Sequence, residues 1–172
     1  MEESLKAKMR SIPDYPKKGV LFWDITPLLK DGNAFRACIK GIAKPFAADK
    51  VDYVAGIEAR GFIIGGAVAE ALHAGFVPIR KKGKLPYKRV SIDYELEYSK
   101  ETMEMHEDAV EKGSRVLIVD DLLATGGTAK ASAELLQKLG AEIVGLAFAV
   151  ELTELKGREK ISNYRVISLV KY

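Results

Sequence analysis

Apolar residues return along this chain with two different periods. Between 33 and 48 (NAFRACIKGIAKPFAA), Phe35, Ile39, Ile42 and Phe46 recur every three or four positions, the spacing of one helix face. The pattern predicts a helix capped by Asn33 and ended or kinked at Pro45. DYVAGI (52–57) is a short apolar run that predicts a buried strand. Glu58-Ala59-Arg60-Gly61 then turns into a small-residue helix over 62–72, and FVPIR (76–80) predicts the next strand. TMEMHED (102–108) alternates, with Met103 and Met105 on one face and Glu104 and His106 on the other, so a half-buried strand is expected. RVLIVDD (115–121) is the strongest buried-strand signal, and a helix over 127–139 follows, ended by Gly140. AEIVGLAFAV (141–150) and YRVISLV (164–170) supply two more strands. Strands alternating with helices predict a three-layer α/β fold around a mainly parallel sheet.

Composition narrows the function classes without choosing one. The 172 residues fit a single domain, and 48% hydrophobic with 30% charged residues is ordinary for a globular chain. Lys and Arg number 27 against 24 Asp and Glu, a net charge of +3. That balance gives no reason to expect a nucleic-acid or membrane partner. The charges are nevertheless segregated: 80–89 (RKKGKLPYKR) holds six bases and no acid, and 90–111 holds eight acids and one lysine. A lone cysteine, Cys38, forms no intramolecular disulfide, and the N-terminal residues lack the apolar core of a signal peptide. The apolar stretch 62–77 is broken by Glu70 and His73 and is too short to span a bilayer. A cytoplasmic protein is expected.

The chemistry concentrates in VLIVDDLLATGGTA (116–129). A buried strand ends in Asp120 and Asp121, and a Thr-Gly-Gly-Thr turn opens the next helix. Glycines let backbone approach a ligand, and free N–H groups at a helix start suit a phosphate. Thr125 and Thr128 add hydroxyl donors, while the two carboxylates accept from sugar hydroxyls. Phosphate beside paired hydroxyl acceptors describes a ribose 5-phosphate. The same acids and glycines also occur as plain caps and turn residues in α/β proteins. G-x-G-x-x-G after a strand and G-x-x-x-x-G-K-[ST] are both absent from the sequence, which argues against a dinucleotide fold and a P-loop nucleotidase.

The run 116–129 resembles the phosphoribosyl-pyrophosphate (PRPP) signature of the type I phosphoribosyltransferases, and LLATGGT is similar to that of their adenine branch. DYPKKGVLFWDITPLLKD (14–31), GIEARGF (56–62), the KGKLP…DYELEY stretch (82–98) and ELTELKGREK (151–160) resemble the same branch in the same order. The resemblance covers nearly the whole chain. It implies one phosphoribosyltransferase domain over 1–172, with a base-binding N-terminal hood at 1–32 and a mobile lid at 81–100. It also implies transfer of a phosphoribosyl group from PRPP to adenine, giving AMP and pyrophosphate, with substrate-bound Mg²⁺ and a homodimeric assembly. A regulator sensing PRPP or purine on the same fold, and an enzyme for 6-oxopurines, are the alternatives.

Site residues follow from the same resemblance. Asp120, Asp121, Ala124, Thr125, Gly126, Gly127 and Thr128 are implied to hold the ribose 5-phosphate. Glu58, Ala59 and Arg60 are implied as the pyrophosphate loop, with a non-proline cis peptide at Glu58–Ala59, helped by Arg80, Lys81 and Lys84. Leu21, Phe22 and Trp23 are implied around adenine, Phe22 stacking on the base and its neighbours reading it through their backbones, with Ala124 opposite. The family more often has a basic residue where this chain has Trp23. Glu97 and Tyr98 are implied at the reacting centre beside Arg60, with Glu97 managing the proton at the base. As a charge pattern alone, 81–100 is equally a solvated hairpin. Cys38 reads as buried filler, His73 as a helix cap and His106 as a surface or interface residue. Glu151 and Lys156-Gly157-Arg158 read as a loop near a subunit contact.

Overall fold

The computed structural model describes residues 1–95 and 100–172. The chain opens with a short helix α1 (Glu2–Lys6), two three-residue strands, β1 (Arg10–Ile12) and β2 (Phe22–Asp24), and helices α2 (Thr26–Lys30) and α3 (Gly32–Ala43). Then come β3 (Tyr53–Ile57), α4 (Arg60–Leu72), β4 (Gly75–Lys81), β5 (Arg89–Glu95), β6 (Lys100–His106) and β7 (Arg115–Leu123). Helix α5 (Gly127–Lys138), β8 (Glu142–Glu151) and β9 (Val166–Lys171) complete the order. β1 and β2 pair antiparallel as a separate ribbon, and the other seven strands form one sheet in the order β5-β6-β4-β3-β7-β8-β9. β4, β3, β7, β8 and β9 run parallel, while β6 and β5 add on antiparallel at one edge.

β7 explains the layering. Val116, Leu117, Ile118 and Val119 are all fully buried, because the strand is covered on both faces. Leu117 and Val119 join the core beneath α3 and α4, and Val116 and Ile118 join the one beneath α5. Each such side chain removed from water contributes about 1.5–3 kcal/mol. The three-layer, mainly parallel fold expected from the pattern is therefore the one present.

Local differences have physical causes. Helix α3 starts at Gly32, so its cap is Asp31 rather than Asn33. Asp31 Oδ1 accepts from the amides of Asn33 (3.0 Å) and Ala34 (3.1 Å), and a carboxylate suits the positive helix start. Pro45 does end the helix: α3 stops at Ala43 and Lys44–Phe46 is a 3₁₀ turn. β6 is not half-buried. Glu104 is as enclosed as its Met neighbours, because its carboxylate is satisfied by the Gly83 amide (2.9 Å) and Arg89 Nε (3.1 Å). His73 closes α4 in the left-handed conformation, φ 54°. Among the described residues of 81–100, Arg89–Glu95 is strand rather than loop, since β5 pairs with β6 from Arg89↔His106 to Glu95↔Lys100.

Candidate active site

Ligands of open α/β sheets bind beyond the carboxyl ends of the parallel strands. Here those ends belong to β3, β4 and β7. β3 finishes at Ile57, and the Glu58–Ala59 peptide, cis as expected, leads straight into α4. Glu58 is not free for a ligand. Its carboxylate accepts from Arg80 Nε (2.8 Å) and the Lys81 amide (2.9 Å), fastening this loop to the end of β4. Arg60, the first residue of α4, points the other way. Its Nη2 lies 2.7 Å from Asp121 Oδ2 as an ion pair without hydrogen-bond alignment, and its guanidinium sits 5.0 Å from the Phe22 ring centroid.

The two acids occupy the last turns of β7, inside the strand rather than after it, since pairing with β8 continues to Leu123. Asp121 is 7% exposed. Asp120 Oδ1 accepts from the Asp121 amide at 2.8 Å. Burial, and then the neighbouring charge of Asp121, push the Asp120 carboxyl well above its ordinary value. Gly61 allows this packing: a Cβ there would lie 2.7 Å from Asp120 Oδ1 and 3.2 Å from the Val119 carbonyl.

After Leu123 the chain wraps a small cradle of about 160 Å³ lined by 120 and 122–129. Ala124, Thr125, Gly126, Gly127 and Thr128 all line it. Gly126 takes φ +79° as the residue that starts α5. Its outer side is closed by a second glycine: a Cβ on Gly126 would meet the Gly157 carbonyl at 2.2 Å, and a Cβ on Gly157 would meet the Ala124 carbonyl at 2.1 Å. Arg158 holds that second segment in place. It grips Glu151 with Nε (3.0 Å) and Nη2, and reaches the Val166 carbonyl at 3.0 Å. The hydrogen bonds between the two, with their opposite charges adding to the effect, lower the Glu151 pKa and raise that of Arg158. Residues 151–158 thus back the cradle.

A wider cleft of about 360 Å³ adjoins the cradle. Glu58, Ala59, Arg60, Lys81, Asp120, Asp121 and Thr128 from the expected set line it together. Arg80 and Lys84 do not: Arg80 is committed to Glu58 and, through Nη1, to the Lys84 carbonyl at 3.2 Å. Thr125 belongs to the cradle alone. In the N-terminal ribbon, Phe22 lies against Arg60 and edge-on to Tyr15, 5.1 Å between centroids. Leu21 is exposed, and the Trp23 side chain stacks on Tyr172. Glu97 and Tyr98 lie outside the described residues. Among those described, no group of three or more His, Cys, Asp and Glu is placed to hold a metal ion.

This arrangement has counterparts. Residues 25–171 match the family model described as phosphoribosyl transferase domain. The adenine phosphoribosyltransferase of Brucella anthropi is 60% identical over 92% of this chain and 87% of its own length. A crystal structure of adenine phosphoribosyltransferase from Thermoanaerobacter pseudethanolicus superposes with a TM-score of 0.97 at 51% identity, covering 100% of both chains. The chain belongs to the adenine phosphoribosyltransferase family. The Saccharomyces cerevisiae adenine phosphoribosyltransferase, solved with an imino-altritol bisphosphate and adenine, is similar with a TM-score of 0.92 at 40% identity over 98% of this chain and 97% of its own.

Several residues of this adenine phosphoribosyltransferase site were not legible beforehand. Tyr94 and Glu101 line the cleft; Tyr94 Oη lies 3.3 Å from Thr128 Oγ1, and Glu101 Oε2 lies 3.0 Å from Lys81 Nζ. Alternation along 89–95 carried the only signal for Tyr94. Gly157 was legible as a turn glycine, but its contact with Gly126 arises from chain brought together across 31 residues of sequence.

Proposed function

We propose that this chain transfers the phosphoribosyl group of PRPP to N9 of adenine, forming AMP and pyrophosphate in purine salvage. The placement of Arg60 carries the reading: one guanidinium lies 2.7 Å from a ribose-side acid and 5.0 Å from the ring expected to stack on the base. In the reaction the C1–oxygen bond breaks and its electron pair leaves with pyrophosphate. The N9 lone pair forms the new bond to C1, and N9 gives up its proton. Positive charge develops on the ribose ring meanwhile, as at other glycosidic centres.

Each part of the site answers one demand. The 124–128 cradle binds the 5-phosphate by backbone N–H groups at the start of α5. Asp120 and Asp121 accept from the ribose hydroxyls and orient the ring. Arg60 and Lys81 offset pyrophosphate charge as it builds. Phe22 aligns the base for attack, and Glu97 takes the N9 proton. Mg²⁺ enters on PRPP as part of the substrate and supplies charge neutralisation. Asp120 and Asp121, whose Oδ2 is ion-paired with Arg60 but accepts no hydrogen bond, would suit its water shell. Segment 81–100, with β5 lying against α5 and the Tyr94–Thr128 contact, acts as the lid that excludes water.

A homodimer in the cytoplasm completes the proposal. Ile63 on α4 and Phe76 on β4 are large apolar side chains left partly exposed, which a subunit contact would cover, and the single free cysteine is buried. Turnover with PRPP and Mg²⁺ is measured spectrophotometrically against adenine, hypoxanthine and guanine. Adenine is expected to be strongly preferred; activity only with the 6-oxopurines overturns the assignment.

A further inference from the structure

The expected adenine-binding residues sit on a weak scaffold. β1 and β2 have three residues each and form a ribbon of their own, too small to hold its position unaided. Buried Ile25 fixes where β2 ends. It does not fix the roll of the strand about its axis, which decides where Phe22 faces. Successive strand residues point to opposite sides, so Trp23 turns away from Phe22. Its indole stacks on Tyr172 with centroids 3.5 Å and planes 13° apart.

Tyr172 is itself held from several directions. Its amide donates to the Glu151 carbonyl (3.0 Å), and its own carbonyl accepts from the Thr153 amide (2.8 Å) and Thr153 Oγ1 (2.7 Å). Its hydroxyl meets Met9 Sδ at 3.6 Å, and the Lys6 ammonium lies 5.3 Å from its ring. The backbone of Tyr172, immediately after β9, is therefore tied to the main sheet and carries the ring to the ribbon. We propose that the Trp23–Tyr172 stack sets the roll of β2, making both positioning residues for Phe22 and hence determinants of affinity for the purine base. The inference rests on the adenine reading above. It assigns no contact with substrate to Tyr172.

Trp23 is the only tryptophan of the sequence, so its fluorescence reports on the stack directly. Tyr172→Ala should shift that emission and raise KM for adenine about three- to tenfold, the size of a lost aromatic pair. KM for PRPP should rise less than KM for adenine, because only the Arg60–Phe22 contact joins the ribbon to the acid pair. Tyr172→Phe, which keeps the ring, should restore both emission and adenine KM. Tyr172→Leu is measured alongside, so that failure of one variant to fold leaves the comparison intact. Unchanged adenine KM in the variants that fold, or both KM values rising equally, overturns the anchor. A wild-type chain that turns over no adenine instead overturns the enzymatic reading, and this inference with it.

Discussion

Asp120 carries opposed demands. Its carboxyl is held above the ordinary range by burial and by the charge of Asp121, so the folded state keeps a proton that the unfolded chain releases. Below the ordinary carboxylate range both states are protonated and the residue is neutral toward stability. As pH rises through that range and up to the folded value, the unfolded state ionises first and stability falls. Asp120→Asn keeps an acceptor for the Asp121 amide and removes the titration. Its melting temperature should match wild type near pH 4 and exceed it near pH 8, while PRPP binding by calorimetry weakens. Equal melting differences at both pH values would contradict the burial argument. Cys38 belongs to the opposite class: burial pushes its thiol up to about 12, leaving it a packing group.

At the scale of elements, the site is a set of strand ends held by neighbours. Glu58 is a staple between loop and β4, and the Glu151–Arg158 pair is a staple behind the cradle. Gly157→Ala places a methyl against backbone on the cradle. An overpacking cost of about 1–3 kcal/mol is expected. It should appear as about five- to 150-fold weaker PRPP binding with adenine KM little changed; unaltered PRPP affinity would show that the segment does not shape the cradle. Elements built from one continuous pattern were legible in the sequence. The 116–119 run, the 127–139 helix and the acid pair needed no tertiary information. β1 and β2 were not legible, because three-residue strands leave no hydrophobic period, and β5 alternates only inside a charged run that reads equally as a solvated hairpin. The staples were invisible for a related reason: the resemblance implies Glu58 and Arg80 around pyrophosphate, and only the adjacency of β3 and β4 shows them as partners of each other.

For the whole molecule, ligand and fold are coupled, since the β3–α4 turn, the β7–α5 cradle and the edge hairpin converge on one cleft, to which the ribbon is joined by the Arg60–Phe22 contact. PRPP with Mg²⁺ at about 100 times its Kd should add about 2.7 kcal/mol to stability. For a chain of this length that is about 5–10 °C in Tm. A chelator should reduce the shift, because the pyrophosphate charge then meets only Arg60 and Lys81. A shift unaffected by chelation would mean that Mg²⁺ does not accompany the substrate. The three-layer architecture was legible from alternating strands and helices. The antiparallel edge was not, because nothing local tells a lid from a strand that has found a partner.

The mutual contact of Gly126 and Gly157 has an evolutionary edge. At most crowded positions an enlarged residue can be accommodated by trimming its neighbour. Here the obstacle on either side is main chain, a carbonyl 2.2 Å from one missing Cβ and another 2.1 Å from the other. Main chain cannot be shortened by substitution, so neither position offers the other a compensating change. The two positions are therefore closed to side chains from both directions, and the shape of the cradle depends on both remaining glycine.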